Sequence, residues 1–241
     1  MENAIIIPTY NEAENLPPLV AAILRLPADL TVIIVDDNSP DGSGMIADGL
    51  AERSPRVLAH HRAGKLGLGS AYRAGFDIAL RGGARRILTM DADFSHHPCY
   101  IPHLLALSCR ADIVVGSRYV PGGGTLHWGP QRQALSRIAN GVARLALSLP
   151  ANDCTAGFRC YRRGVLEQVD LDAIRSNGYS YLVEMLYRAA RLGCRIAETP
   201  ILFEDRRHGQ SKISRQEILR AMATVGRLSS ERLVGRGWGP D

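Results

Sequence analysis

Acidic and polar residues follow three short apolar runs, and the pair Asp91 and Asp93 is the clearest chemical signal among them. Two carboxylates with one residue between them can bind a hard divalent cation such as Mg²⁺ or Mn²⁺, which keeps open positions for substrate phosphate oxygens. The same spacing is also common in turns and helix caps. A second pair, Asp36 and Asp37, follows a neighbouring predicted strand and favours the metal site, because carboxylates this close raise each other's pKa unless a cation neutralises them.

Side chains that can hold phosphates come later in the chain, after residue 60. They are Lys65, Arg118, Arg132, Ser136, Arg206 and Lys212. Each alone is typical of a solvated surface. Together they suit a site that holds several phosphates, because arginine binds a phosphate through two parallel hydrogen bonds and lysine acts as a point charge.

The charge of the chain is unevenly distributed. Its 241 residues contain 29 Lys and Arg against 24 Asp and Glu, so the net charge is +5, and only two of the cations are lysines. Residues 1–60 carry three cations and nine acids, which leaves the rest of the chain net basic. A basic excess indicates an anionic partner: a nucleic acid, a membrane surface or a phosphorylated small molecule. A nucleic-acid-binding module would interleave aromatic residues with its cations, but aromatic residues make up only 6%.

Several classes of protein are disfavoured by what the sequence lacks. The first strand is not followed by G-x-G-x-x-G, and G-x-x-x-x-G-K-[ST] does not occur, which argues against a nicotinamide dehydrogenase and a P-loop NTPase. No apolar run approaches the 18 or so residues of a membrane span, and the acidic start is not a signal peptide. The five cysteines form no C-x-x-C pair, so a reducing cytosol is expected.

The elements that must position these residues alternate along the chain. Strands are predicted over residues 4–7, 31–35, 56–60, 86–90 and 113–116, with helices over 12–26, 43–53 and 68–81 and from about residue 100. This order predicts an α/β fold with a mostly parallel sheet, in which ligands bind at the carboxyl ends of the strands. Beyond residue 116 we predict a helix over 130–149, an irregular segment over 152–161, a helix over 179–192, a strand over 195–200 and a last helix over 215–228.

Two of these helices have an amphipathic pattern. In the helix over 130–149, apolar residues recur at a spacing of three and four: Leu135, Ile138, Val142, Leu145 and Leu149. The last helix is predicted to have two faces. Its apolar face contains Ile218, Met222 and Val225, and its basic face contains Arg220 and Arg227. Such helices either pack on a core or lie at an anionic membrane surface.

The ordered set of motifs resembles the dolichol-phosphate (polyprenol-phosphate) mannose synthases, which are inverting family 2 glycosyltransferases with a GT-A fold. The motifs lie in residues 5–12, 37–42, 65–72, 90–98, 116–119, 153–161, 176–179 and 205–212. The resemblance implies a catalytic domain over 1–213, with a nucleotide-binding half (1–116) and an acceptor-binding half (117–213). Residues 214–241 would form an amphipathic helix and tail at a membrane interface.

The resemblance also implies a donor site. Pro8, Tyr10, Glu12, Val35 and Asp37 would hold the guanosine part of GDP-mannose.

The diphosphate and the metal would be held next to it. Asp91 and Asp93, with the backbone of Ala92, would bind the divalent metal (Mg²⁺ or Mn²⁺) and the diphosphate. Arg206 and Lys212 would engage the diphosphate once their loop closes.

An acceptor site follows from the same resemblance. Arg118, Arg132 and Ser136 would receive the phosphate of a dolichyl or polyprenyl phosphate. Some members have a glutamine as a third metal ligand where this chain has Ser95, whose shorter hydroxyl would reach the ion through a water molecule.

The chemistry expected from these residues is a direct displacement. A phosphate monoester has a second pKa of about 6, so it is already nucleophilic at neutral pH and no general base is required. Asp93, Arg118, Arg206 and Lys212 would be the catalytic residues, and an α-linked donor would give a β-mannosyl phosphate lipid. UDP-glucose is the alternative donor. The enzyme would lie peripherally at the cytoplasmic face of a membrane, alone or with a separate membrane-anchoring protein.

Overall fold

The computed structural model describes residues 1–205 and 215–233. Its strands are β1 (Asn3–Thr9), β2 (Leu30–Asp36), β3 (Val57–His61), β4 (Arg86–Thr89), β5 (Ile113–Ser117), β6 (Gly124–Thr125), β7 (Arg159–Arg162), β8 (Ile196–Pro200) and β9 (Leu202–Phe203). Its helices are α1 (Leu16–Leu24), α2 (Ser43–Arg53), α3 (Leu68–Arg81), α4 (Ile101–Leu107), α5 (Pro130–Leu147), α6 (Arg163–Gln168), α7 (Tyr179–Arg191) and α8 (Arg215–Leu233). The predicted alternation of strands and helices is confirmed, and α2 and α3 begin and end where the sequence predicts.

Seven strands form one sheet in the order β3-β2-β1-β4-β7-β5-β8. All neighbouring pairs are parallel except those of β7, which runs antiparallel to both β4 and β5. The short strands β6 and β9 pair beside this sheet. The predicted α/β class with a mostly parallel sheet is therefore correct.

Strand β7 corrects one expectation from the sequence. The segment over 152–161 is predicted to be irregular, yet its last residues form the strand between β4 and β5. The strand has only four residues, with arginine at each end, and so shows no apolar run that would reveal it. Arg159 is fully buried, and it donates hydrogen bonds to the carbonyls of Leu182 and Cys154, both at 2.8 Å.

The sheet is covered on both faces, which explains its continuous apolar strands. Successive residues of a strand point to opposite faces; Ile6 and Ile33 belong to one apolar cluster, whereas Ile5 and Ile34 belong to the other. These strands are fully buried along most of their length. The central strands thus form a rigid frame, and the loops at their carboxyl ends carry the polar residues.

The apolar stripe of helix α5 does not pack on the core, which was one of the two alternatives that its pattern left open. Leu135, Ile138, Val142 and Leu145 are 48%, 63%, 53% and 81% exposed. The buried residues of the helix are Asn140, Ala143 and Leu147. The spacing correctly predicts a helix, but these four apolar residues of the stripe are exposed.

Helix α8 packs in contact with α5 and α7. Among residues 220–232, Thr224 and Leu228 are buried, whereas Met222 is 64% exposed. Val225 packs against the core and Arg220 is exposed, as the prediction of an apolar and a basic face requires. Arg227, predicted on the basic face, instead reaches the fully buried Glu184 at 2.6 Å, and the side chain of Ile218 lies outside the described residues. No described helix is long and apolar enough to cross a membrane.

Candidate active site

The candidate donor residues lie where β1, β2 and β4 end. Thr9 at the end of β1 pairs with Asp36 of β2, and Met90 after β4 donates its backbone N–H to Ile6 of β1. Strand β1 therefore separates the two acidic pairs, which corrects the expectation that they follow neighbouring strands. Two strand spacings place them roughly 10 Å apart at the level of the sheet, so the Asp36 pair does not share a cation with Asp91 in this arrangement.

Asp36 instead stabilises the loop that follows it. The Ser39 hydroxyl donates to Asp36 at 2.5 Å, and Ser39 in turn accepts the backbone N–H of Asn11 at 3.1 Å. Ser43 accepts the backbone N–H of Glu12 at 2.9 Å and donates to Asp41. The two loops at the ends of β1 and β2 are thus cross-linked, and they form one wall that can face a nucleotide.

Two cations contact the candidate donor residues Asp37 and Tyr10. Arg62 forms an ion pair with Asp37 at 2.6 Å, and the Lys65 ammonium lies 4.0 Å from the centre of the Tyr10 ring. Burial raises the pKa of Asp37 and Asp36 adds to this, although Arg62 opposes both effects. Asp37 is thus held by Arg62, a contact that the sequence motifs do not indicate. Val35 is fully buried, so its side chain presents no surface to a nucleotide.

The Asp91 to Ser95 turn holds its two carboxylates differently. Asp91 is partly exposed, and Asp93 is buried and accepts the Ser95 hydroxyl at 2.6 Å and the Ser95 backbone N–H at 3.0 Å. The Ser95 hydroxyl is therefore engaged in orienting Asp93. Phe94, between them, has a left-handed backbone with φ = 60°, which makes the tight turn possible.

His96 lies directly behind this turn and is 1% exposed. Its Nδ1 accepts the backbone N–H of Asp91 at 3.4 Å and lies 3.7 Å from the Asp91 carboxylate. Burial lowers the pKa of His96 despite the two nearby aspartates. The ring is thus neutral at pH 7, which fits its role as an acceptor at Nδ1. The adjacent His97 is exposed and accepts the backbone N–H of Cys99 through its own Nδ1.

The surroundings of Gly157 indicate whether the Asp91–Ser95 turn has room for a metal ion. A Cβ at this position would lie 3.3 Å from an Asp91 carboxylate oxygen and 3.2 Å from the Tyr72 hydroxyl. The glycine therefore keeps the space beside the carboxylate clear. The Tyr72 hydroxyl is buried and has no hydrogen-bond partner among the described residues. The partly exposed carboxylate of Asp91, the oriented carboxylate of Asp93 and the free space beside Asp91 fit a divalent cation. The described residues include no cluster of three or more His, Cys, Asp or Glu that could bind a metal.

Arg118 is held by a buried aspartate that the sequence analysis does not identify. The Arg118 guanidinium donates through Nε and Nη2 to both oxygens of Asp153 at 2.7 Å, and Nη2 also donates to Thr155 at 2.8 Å. Burial lowers the pKa of Arg118, but the Asp153 charge outweighs this and raises it overall. The same pairing keeps the pKa of Asp153 low in spite of its burial. Nη1 makes no hydrogen bond within the described part of the chain and remains available for an anion.

The other two predicted acceptor residues lie on α5. Arg132 donates to Asp205 at 2.8 Å, and Ser136 accepts the Tyr119 hydroxyl at 2.7 Å. One turn further, the Asn140 amide bonds both the Ser136 carbonyl and the backbone N–H of Cys154. The 153–155 segment therefore contacts Arg118 directly and Ser136 through Asn140. Among the described residues, Arg132 has no such contact, but it shares the Trp128 ring with Arg118. Arg206 and Lys212 lie outside the described residues.

A chain of aromatic rings connects the acceptor cations with the metal turn. The Phe203 ring lies edge-on to His96 at 5.3 Å and to Trp128 at 5.4 Å. Arg132 lies 4.0 Å above the Trp128 ring, and Arg118 lies 5.3 Å from Phe203. Because His96 contacts Asp91, these rings link Arg118 and Arg132, the candidate acceptor cations, to the candidate metal turn.

Sequence reasoning therefore missed several residues of this site. They are Arg62, Trp128, Asn140, Asp153 and Phe203. Asp153 lies in a segment that resembles a family motif, but a motif does not indicate which cation its carboxylate binds. Trp128 lies two residues before α5 and could have been suspected only as a rare aromatic residue near a basic helix. Its indole N–H is buried and has no hydrogen-bond partner within the described residues.

A mostly parallel sheet with an Asp-x-Asp turn after β4 and an arginine, Arg118, after β5 fits a nucleotide-sugar transferase. The chain is a glycosyltransferase and belongs to glycosyl transferase family 2, whose model matches residues 4–170. It is 45% identical to the polyprenol monophosphomannose synthase of Mycolicibacterium smegmatis, over 96% of this chain and 91% of that protein. It is also 45% identical to the undecaprenyl-phosphate mannosyltransferase of Micrococcus luteus, over 92% of this chain and 91% of that protein. The predicted resemblance to the polyprenol-phosphate mannose synthases is confirmed.

Solved structures support the fold independently. A glucosyl-3-phosphoglycerate synthase of Mycobacterium tuberculosis, in complex with Mn²⁺, UDP and glucosyl-3-phosphoglycerate, superposes with a TM-score of 0.68. The match covers 95% of this chain and 80% of that one at 16% identity. A second structure of that enzyme gives a TM-score of 0.61. The predicted GT-A fold is confirmed.

Proposed function

We propose that this enzyme transfers mannose from GDP-mannose to a dolichyl or polyprenyl phosphate, with inversion at the anomeric carbon and with a divalent metal. The observation that supports the proposal is the chain of ring contacts, through Phe203 and His96, that links Arg118 and Arg132 to Asp91. Lipid-phosphate mannosyl transfer is also the activity that the names of the two relatives at 45% identity state.

The acceptor is proposed to bind as a phosphate dianion. Arg118 is held rigidly by Asp153, so its free Nη1 group is preorganised toward the phosphate and loses little entropy on binding. Arg132 would exchange its partly exposed Asp205 partner for the phosphate, and Ser136 would add a hydroxyl. No residue needs to remove a proton, because the phosphate is already ionised at neutral pH.

The donor is proposed to lie along the wall formed by the loops after β1 and β2. Tyr10 and Glu12, with Pro8 and Asp37, would hold the guanosine, and Asp91 and Asp93 would hold the metal next to the backbone of Ala92. A bound divalent cation neutralises the negative charge that develops on the leaving diphosphate. Arg206 and Lys212 are proposed to share that task, and they follow in sequence Asp205, which contacts Arg132.

The membrane surface is proposed to contact α5. This helix carries both the acceptor residues and the exposed stripe Leu135, Ile138, Val142 and Leu145. Exposed arginines, including Arg137 and Arg144, accompany the stripe and suit the anionic headgroups of a cytoplasmic leaflet. A polyprenyl chain anchored in the bilayer would then present its phosphate next to Arg132. A separate membrane-anchoring protein on the same stripe is the alternative.

A panel of sugar nucleotides tests the donor. Purified protein is incubated with Mg²⁺ or Mn²⁺, a short polyprenyl phosphate and radiolabelled GDP-mannose, UDP-glucose or UDP-galactose, and the label in the lipid phase is counted. We expect label from GDP-mannose only, and none when EDTA is added. Transfer from UDP-glucose but not from GDP-mannose would contradict the proposal.

A further inference from the structure

A cavity of about 290 Å³ lies outside the candidate active site, between α7, α8 and the segment that follows α6. Four arginines line it: Arg175, Arg188, Arg191 and Arg227. None of its lining residues belongs to the donor or acceptor sites. The volume is near the lower end of the range for small-molecule sites, roughly 300–1,000 Å³.

Two of these arginines are neutralised by the protein. Arg188 and Arg227 both bind the fully buried Glu184, at 2.7 and 2.6 Å, and Arg227 also binds Glu231 at 3.0 Å. The lining carboxylate of Asp170 accepts the backbone N–H groups of Asp172 and Ala173. The acidic groups of the cavity are therefore engaged in holding its walls together.

The other two arginines, Arg175 and Arg191, have no hydrogen-bond or ion-pair partner among residues 1–205 and 220–232. A cation such as Arg191 in the last turn of a helix is favourable on its own, but Arg175 lies on the linker before α7 and reaches the cavity only because of the fold. Both side chains are exposed, and two unpaired guanidinium groups that line one cavity attract an anion to it. The apolar wall beside them is formed by Val169, Leu192 and the buried Tyr187.

We propose that this cavity is a second anion site, which binds a phosphate group through Arg175 and Arg191. Guanidinium groups suit phosphate because each can donate two parallel hydrogen bonds to its oxygens. The apolar wall provides room for a small organic part attached to the phosphate. The phosphate can belong to a soluble molecule or to a lipid headgroup, since the recognising chemistry is the same.

Calorimetric titration of the full chain with inorganic pyrophosphate tests the site, in the presence of GDP and Mg²⁺ to fill the donor site. We expect the double variant R175Q/R191Q to bind pyrophosphate at least tenfold more weakly than the unmodified protein. The variant R81Q/R110Q is the matched control, because it removes two exposed arginines whose side chains make no hydrogen bond or ion pair with the described residues, and its affinity should stay within twofold. Thermal unfolding of all three proteins verifies that they fold.

Flotation with phosphatidylcholine vesicles, with and without phosphatidic acid, distinguishes the source of the phosphate. A loss of pyrophosphate binding in R175Q/R191Q identifies a site for soluble phosphates. A loss confined to phosphatidic-acid vesicles identifies a headgroup site. Equal pyrophosphate and vesicle binding by R175Q/R191Q and R81Q/R110Q would overturn the proposal, because the acceptor arginines are intact in both variants.

Discussion

At the scale of residues, the site depends on carboxylates whose roles differ because their partners differ. Asp93 is buried and oriented by Ser95, whereas Asp153 is fully buried and neutralises Arg118. Sequence motifs correctly indicate where such residues occur. They could not indicate that Asp37 pairs with Arg62 or that Arg118 pairs with Asp153, because both pairs join segments distant in the chain.

Replacing Asp93 with asparagine tests the metal assignment. The amide oxygen can still accept the two hydrogen bonds from Ser95, so the turn should persist while the negative charge is lost. We expect transfer to fall at least about 100-fold, measured as label in lipid with saturating Mn²⁺. Asp77→Asn, at an exposed position on α3, is the control. Full activity of Asp93→Asn with an unchanged circular dichroism spectrum would refute its role as a ligand.

Replacing Arg132 with alanine tests the acceptor assignment. A hydrogen bond to a charged group contributes about 1.5–3 kcal/mol, so the KM for polyprenyl phosphate should rise by about tenfold to a hundredfold. The affinity for GDP-mannose, measured by calorimetry without acceptor, should change little. Arg137→Ala, on the exposed side of the same helix, controls for the loss of a nearby cation. Equal losses of lipid use and GDP-mannose binding would contradict the assignment.

At the scale of elements, periodicity predicts the helices well but not the direction in which they face. The 3-4 spacing in α5 indicates a helix but leaves open which way its apolar stripe faces. The structure exposes four residues of that stripe and buries Asn140, Ala143 and Leu147 instead. In α8, Arg227 points inward because Glu184 lies below it, a residue 43 positions away in the chain. Strand β7 escapes detection because its four residues carry no apolar run.

The α5 stripe leads to a prediction about membrane binding. Ile138→Glu combined with Val142→Glu places two carboxylates where the apolar face would enter the headgroup region. We expect the bound fraction in flotation with anionic vesicles to fall at least fivefold, since each substitution loses apolar contact and adds repulsion. Met45→Glu, at an equally exposed apolar position on α2, should float like the unmodified protein. Undiminished flotation of the double variant would exclude α5 as the membrane face.

The contact between α7 and α8 leads to a prediction about pH. Burial alone would raise the pKa of Glu184, but hydrogen bonds from Ser176, Arg188 and Arg227 lower it below its usual value of 4.5. The ionised carboxylate therefore stabilises the fold fully above pH 4.5, and this contribution is lost as the pH falls through the lowered pKa. Glu184→Gln should reduce the free energy of unfolding by about 2 kcal/mol at pH 7, a value below that of fully buried pairs because both arginines are partly exposed.

Urea unfolding at pH 7 and at pH 3.5 measures this contribution. The difference between Glu184→Gln and the unmodified protein should shrink at the lower pH, where the carboxylate begins to be protonated. Glu167→Gln removes an exposed carboxylate that pairs with Arg163, and it should cost less than about 0.5 kcal/mol at either pH. A difference for Glu184→Gln that stays constant with pH would show that the charge is not its source.

At the scale of the whole molecule, the fold gathers the candidate donor carboxylates and the candidate acceptor cations toward one edge of a sheet. The net charge of +5 combines an acidic first segment, which includes Asp36 and Asp37, with later cations such as Arg118 and Arg132. The overall α/β architecture follows from the order of strands and helices along the sequence. The adjacency of the two sites does not, because it depends on Phe203, which contacts both His96 and Trp128.

The configuration of the product tests the central claim most directly. GDP-α-mannose and a short polyprenyl phosphate are incubated with the purified enzyme, and the lipid product is identified by mass spectrometry and by NMR of its anomeric carbon. A single displacement by the lipid phosphate predicts a mannosyl phosphate lipid in the β configuration alone. An α-configured product, or no mannosylated lipid, would contradict direct attack by an acceptor phosphate held at Arg118, Arg132 and Ser136.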